Sequence, residues 1–195
     1  MFRFKKGCKV PFPEKISEGY EETSYGYIAN ISTGKILDVV KAFISIQKGS
    51  VFFFLELPTN ISDEPEPEKC LHQDVYYMDN LSHDEAFSFL DSTGELLTND
   101  GLCTFGFGSQ ENGDEIMVGK YNVVSFRCDK NASYINLFRN NNIEYTPGLI
   151  TAWDTFSEDN PGICEKIEIN GKTVFSIPKT FEKHGMYFAE RREKS

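Results

Sequence analysis

Between Gly101 and Cys128 the chain holds three short apolar-rich segments, Leu102 to Gly108, Glu115 to Gly119 and Tyr121 to Cys128, with a polar turn at Ser109-Gln-Glu-Asn-Gly113. Connections this short cannot hold the crossover that parallel strands need, so the stretch predicts an antiparallel meander. A second turn signal, Asn170-Gly171 within Lys166 to Phe175, predicts a hairpin, because both central residues of a type I′ turn need φ > 0. Strands that arrive in runs, without strict alternation with helices, predict an α+β fold: a mostly antiparallel sheet of meander and hairpins with about three helices packed on it.

The helices announce themselves by period. Ile36, Leu37, Val40, Phe43 and Ile44 recur at helical spacing after Ser32, with Gly49 as a stop, which predicts a helix over 33–48. Ser82-His-Asp-Glu85 has the spacing of a capping box and opens a helix over 82–92, with Gly94 as its end. Asp129 is the expected cap of a third helix over 130–141, and Pro178 suits the first turn of a short one ending at Gly185. The remaining apolar runs, 24–31, 51–57, 74–79, 149–156 and 186–189, read as strands, with Val51 to Leu57 apolar enough to be central.

Three prolines and four carboxylates crowd residues 58–70, which predicts a Pro/Glu-rich surface loop and no domain boundary, since neither flanking part has the apolar surface to fold alone. The 195 residues, 39% of them hydrophobic, are therefore expected to form a single α+β domain over 1–195.

Charge narrows the partners. The formal net charge is −10, but the cations gather at the two ends, and residues 10–178 hold 11 basic against 27 acidic side chains, a balance of −16. Such a field repels phosphate backbones and anionic membranes, so nucleic acid and membrane partners are not expected and a basic protein partner is. No run reaches the roughly 20 apolar residues of a bilayer span, and the N-terminal stretch lacks the apolar segment of an export signal. Five dispersed cysteines without a C-x-x-C pair fit reduced thiols in a cytoplasm, with neither a disulfide framework nor a zinc ribbon. Asn30, Asn60, Asn80 and Asn131 open N-x-S/T sequons, read as turn and cap chemistry.

Candidate chemistry is sparse. Cys70-x-His72-x-Asp74 is the best metal-like spacing but offers no fourth ligand, so neither a metal nor a cofactor is expected. Phe105-Gly-Phe-Gly lacks the following helix a phosphate loop requires, and its glycines instead suit the close approach of a ring or backbone. Asp114 and Glu115 pair two carboxylates after a turn. The most informative segment is 151–159, where Trp153, the sole tryptophan, adjoins Asp154, with Glu158 and Asp159 just beyond. An indole among carboxylates suits a cation or a basic protein surface. No nucleophile elbow, zincin or Walker motif is present.

The expectation is a non-enzymatic, cytoplasmic protein-binding domain whose acidic surface uses Trp153, Asp154, Glu158 and Asp159. In size, acidity and lack of catalytic signatures the chain is similar in general character to small immunity proteins that neutralise basic toxins, a likeness carried by no motif. The alternative is a small hydrolase or transferase with a carboxylate site near Trp153.

Overall fold

The segments and turns over 101–128 fold as they predict. The computed structural model describes residues 2–59 and 72–193, and within them β6 (Thr104–Ser109), β7 (Glu115–Val118) and β8 (Val123–Arg127) form the meander at the centre of an eight-stranded antiparallel sheet. It extends on one side through β4 (Val51–Pro58), β5 (His72–Leu81) and β10 (Tyr187–Glu193), and on the other through β3 (Gly26–Asn30) and β2 (Gly19–Thr23). The order is β10-β5-β4-β6-β7-β8-β3-β2. A separate two-stranded piece joins β1 (Cys8–Lys9) to β9 (Ile163–Cys164).

One sheet face presents Phe53, Leu55, Phe105, Phe107, Ile116 and Phe126 to α1 (Thr33–Ile46), α2 (His83–Asn99) and α3 (Ala132–Asn140). Aromatic contacts stitch this continuous core: Phe53 lies 4.5 Å from Phe89, and Tyr20 stacks on Phe138 at 4.0 Å between ring centroids. On the opposite face Phe52 and Phe54 stand directly across from Gly108 and Gly106. A Cβ at Gly106 would meet the Ile116 carbonyl oxygen at 2.1 Å and the Phe54 ring at 2.5 Å, so the glycines are where rings and a neighbouring backbone come close.

Several local expectations need correction. The run read as a strand over 24–31 is preceded by another, Gly19–Thr23 (β2), which turns through Ser24 and Tyr25 into β3. Helix α2 keeps its capping box, with Ser82 N–H donating to Glu85 Oε2 at 2.8 Å, but runs through Gly94 to Asn99. Gly94 does not end the helix. It lies in the α1–α2 contact, where a Cβ would sit 2.7 Å from a Leu37 methyl. Helix α3 is capped by Asn131 and not Asp129, its Oδ1 accepting from Ser133 N–H at 2.8 Å. The turn at Asn170-Gly171 forms with φ of 52° and 73°, closed by the Ile169–Lys172 pair, but no strands flank it. Beyond it Val174 is buried in the main core and starts a 3₁₀ turn that leads into α4 (Ile177–Phe181), with Gly185 at φ 93° behind. The strand expected over 149–156 is a 3₁₀ turn at Ala152–Thr155. Its hydrogen-bonding groups are taken locally, and edge strand β2 is already covered by Glu144 and Thr146, which bond Tyr20.

Past Pro58 and Thr59, the Pro/Glu-rich loop expected over 58–70 lies outside the described residues. Among the described residues no helix is long and apolar enough to cross a membrane.

Candidate functional site

Four chain segments meet beside the N-terminus: residues 2–10, the end of α2, the turn Lys120–Asn122, and 149–165. Asn122 is the latch. Fully buried and in the left-handed region at φ 65°, it accepts Lys5 N–H on Oδ1 at 2.8 Å, and its amide donates to the carbonyls of Ile31 and Arg3 and to Thr33 Oγ1. Tyr121 before it is also left-handed, at φ 54°, a conformation a bulky residue holds only where surrounding contacts fix it. Those contacts are the edges of Trp153 and Phe156, at 4.9 and 4.8 Å between centroids. Beneath them a backbone junction joins Gly7 N–H to Asn99 C=O, Glu165 N–H to Gly7 C=O, and Gly101 N–H to Glu165 C=O.

The four residues singled out by sequence fall on this cluster's outer side. Trp153 is a surface residue, 52% exposed, held edge-on by Tyr121 and Phe156. Asp154 is structural, since its Oδ2 accepts Thr151 N–H at 2.8 Å and Thr151 Oγ–H at 2.7 Å, closing the cap of the 3₁₀ turn. Glu158 and Asp159 are exposed on the next turn, which is closed by reciprocal Ser157 and Asn160 backbone bonds. Neither forms an ion pair among the described residues, whereas Glu18, Glu22, Asp91 and Glu165 are each matched by a lysine. One capping carboxylate and two exposed ones do not make a facing acid–base couple.

Beneath the indole lies a group that sequence spacing did not reveal. Cys8 and Cys164 are directly opposed across β1 and β9, with their sulfurs 3.9 Å apart. The Cys164 thiol is drawn below the ordinary thiol range, chiefly by its contact with Cys8 and further by the Tyr121 hydroxyl, Lys120 and Lys5, while burial opposes them. Cys8 is held up by the same pairing and by burial, and Tyr121 is raised chiefly by burial. Lys5 completes the group: it is 1% exposed, its Nζ has no hydrogen-bond partner, and it stands 5.8 Å from the Phe105 ring centroid. Cys103 and Cys128 are pushed up to about 12 by burial. The four described thiols are all free.

Elsewhere the expected chemistry dissolves into structure. Cys70 lies outside the described residues, and Asp74 is engaged by Arg191 at 2.7 Å and Thr59 at 3.2 Å. No group of three metal-ligating side chains occurs among the described residues. Asp114 accepts the Tyr134 hydroxyl and the Asn112 amide, and Tyr134 also accepts from buried Gln47, so Asp114 serves the core. Two surface cavities lie away from Trp153. One of about 340 Å³ is lined by Tyr20, Arg139 and Tyr145, and one of about 730 Å³ by Tyr76, Phe175 and Phe188.

The fold and this site define an antiparallel α+β domain in which an exposed indole and a half-buried pair of thiols flank Tyr121. No family model matches the chain, and neither any curated protein nor any solved structure matches it significantly.

Proposed function

We propose that this chain is a non-enzymatic, cytoplasmic protein-binding domain that holds a basic protein, such as a toxin it neutralises, against the Trp153 surface. The observation that carries the reading is the rigid presentation of Trp153: half its surface faces outward while Tyr121 and Phe156 fix its edge. An immobilised indole gives up little entropy on contact, which is the character of an interface anchor. Glu158 and Asp159 beside it are exposed and outside any ion pair among the described residues, and the −16 balance of residues 10–178 extends that field. Asp154 contributes by holding the turn.

Because Trp153 is the only tryptophan, its fluorescence reports on this surface alone. Titration with a panel of basic proteins and an octa-arginine peptide is expected to change that emission, with affinity falling as salt rises. Reversing Glu158 and Asp159 to Lys should slow association by about tenfold at low salt and flatten the salt dependence, since exposed charges act mainly through steering. Trp153→Ala should raise the dissociation rate about 30-fold or more, the scale of an anchor residue, and leave the thermal midpoint nearly unchanged. Binding indifferent to all three substitutions, no salt-sensitive binding to any basic probe, or binding to DNA at this surface would overturn the reading.

A further inference from the structure

A separate property lies under the indole: we infer that Cys164 and Cys8 form a redox-active dithiol, with Cys164 the attacking and Cys8 the resolving thiol, that reacts with low-molecular-weight disulfides such as glutathione disulfide. The geometry is that of a bond waiting to close. The Glu165 N–H to Gly7 C=O bond of 2.7 Å flanks the pair and makes Cys8 and Cys164 a non-hydrogen-bonded antiparallel pair. Facing Cα atoms in such pairs lie about 4.5 Å apart, within the range a disulfide spans. The sulfurs, at 3.9 Å, need only side-chain rotation to reach a bonding separation of about 2 Å.

Exposure assigns the roles, because Cys164 is partly exposed and Cys8 is buried. The groups acting on Cys164 are the Cys8 thiol, 3.9 Å away, the Tyr121 hydroxyl, and the cations Lys120 and Lys5. All four favour its thiolate. Lys5 adds to this: it is buried, its Nζ has no hydrogen-bond partner among the described residues, and its charge favours a thiolate at Cys164.

In the first step the Cys164 thiolate attacks one sulfur of glutathione disulfide, forming a mixed disulfide and expelling one glutathione thiolate, which takes a proton from water. In the second, Cys8 gives up its proton and attacks the Cys164 sulfur, releasing the second glutathione. Counted from the dithiol, the protein loses two electrons and two protons, and one glutathione disulfide becomes two glutathione thiols.

A low thiol pKa enlarges the thiolate fraction but weakens each thiolate as a nucleophile. With a midpoint below the ordinary thiol value, the net gain is largest at mildly acid pH and shrinks toward neutrality. The test is incubation of the chain with glutathione disulfide under anaerobic conditions, with peptide mapping by mass spectrometry. Wild type should yield the Cys8–Cys164 disulfide, Cys8→Ser a stable glutathione adduct on Cys164, and Cys164→Ser no modification at Cys8. The initial rate should rise with pH and level off well below the ordinary thiol value of about 8.5. Tyr121→Phe and Lys5→Met should each move that midpoint upward. A wild-type midpoint near the ordinary thiol value of about 8.5 overturns the inference whatever the variants do. So does glutathione appearing first on Cys8, or a Cys164 adduct in wild type that never resolves onto Cys8.

Discussion

Asp100→Ala is expected to lower the unfolding free energy by about 3–5 kcal/mol, because it strands three backbone donors at once. The carboxylate is fully buried just past α2, where Oδ1 accepts Leu102 N–H at 2.8 Å and Cys103 N–H at 3.1 Å, and Oδ2 accepts Ile167 N–H at 3.1 Å. An orphaned buried donor costs about 1–3 kcal/mol. Only the Cys103 bond is wholly buried here, and water can reach the other two, so the sum falls short of three full penalties. Asp100→Asn keeps one carbonyl oxygen for Leu102 and Cys103 but turns an amide toward Ile167, and should lose roughly half as much. Urea melts of the three proteins give the comparison. An alanine variant within about 1 kcal/mol of wild type would mean the segment around Ile167 does not depend on this carboxylate.

The second large effect separates two glycines that look alike in sequence. Gly106→Ala is expected to destabilise by more than about 3 kcal/mol, at the upper end for an inserted methyl group. Its Cβ would lie 2.1 Å from the Ile116 carbonyl oxygen, which cannot retreat without opening the β6–β7 ladder. Gly108→Ala meets only the Phe52 ring, at 2.2 Å, and that partly exposed side chain can swing outward, so about 1 kcal/mol is expected. Smaller partners sharpen the contrast. Phe52→Leu should relieve Gly108→Ala, whereas Phe54→Leu should not relieve Gly106→Ala, because the obstructing atom there belongs to the backbone. Thermal or chemical denaturation of both double mutants decides it.

What the sequence discloses here is whatever is settled within a few residues. The meander, the Ser82 capping box, the apolar face of α1 and the left-handed Asn170-Gly171 turn are local, and each is present. The failures share a cause, in that a distant partner changes what a local signal means. Gly94 reads as a helix stop until Leu37 is packed against it. Residues 149–156 look like a strand until Glu144 and Thr146 have occupied the β2 edge and Thr151 and Asp154 have bonded each other. Of the candidate site, the indole and its acids were legible because they are neighbours in sequence. Tyr121 and Lys5 were not, and Cys8 and Cys164 are 156 residues apart, with no spacing rule to join them.

The two sheet edges have different consequences for synthesis. Edge β2 is sealed by main chain from residues 144–146, whereas the far edge is formed by β10, with an interrupted register between Phe188 and Glu190 and the charged run Glu190 to Glu193 facing outward. Those charges discourage another chain from adding there. During translation, however, β10 leaves the ribosome after every other strand of the sheet. Until it does, the stretch His72 to Tyr77 of β5 is an open edge, with Asp74 its one carboxylate. The interval between the emergence of β8 and of β10 is when a nascent chain is most exposed to pairing with its neighbours on a polysome, so slow codons in that stretch would lower the yield of folded protein while leaving the sequence and stability of the finished molecule untouched.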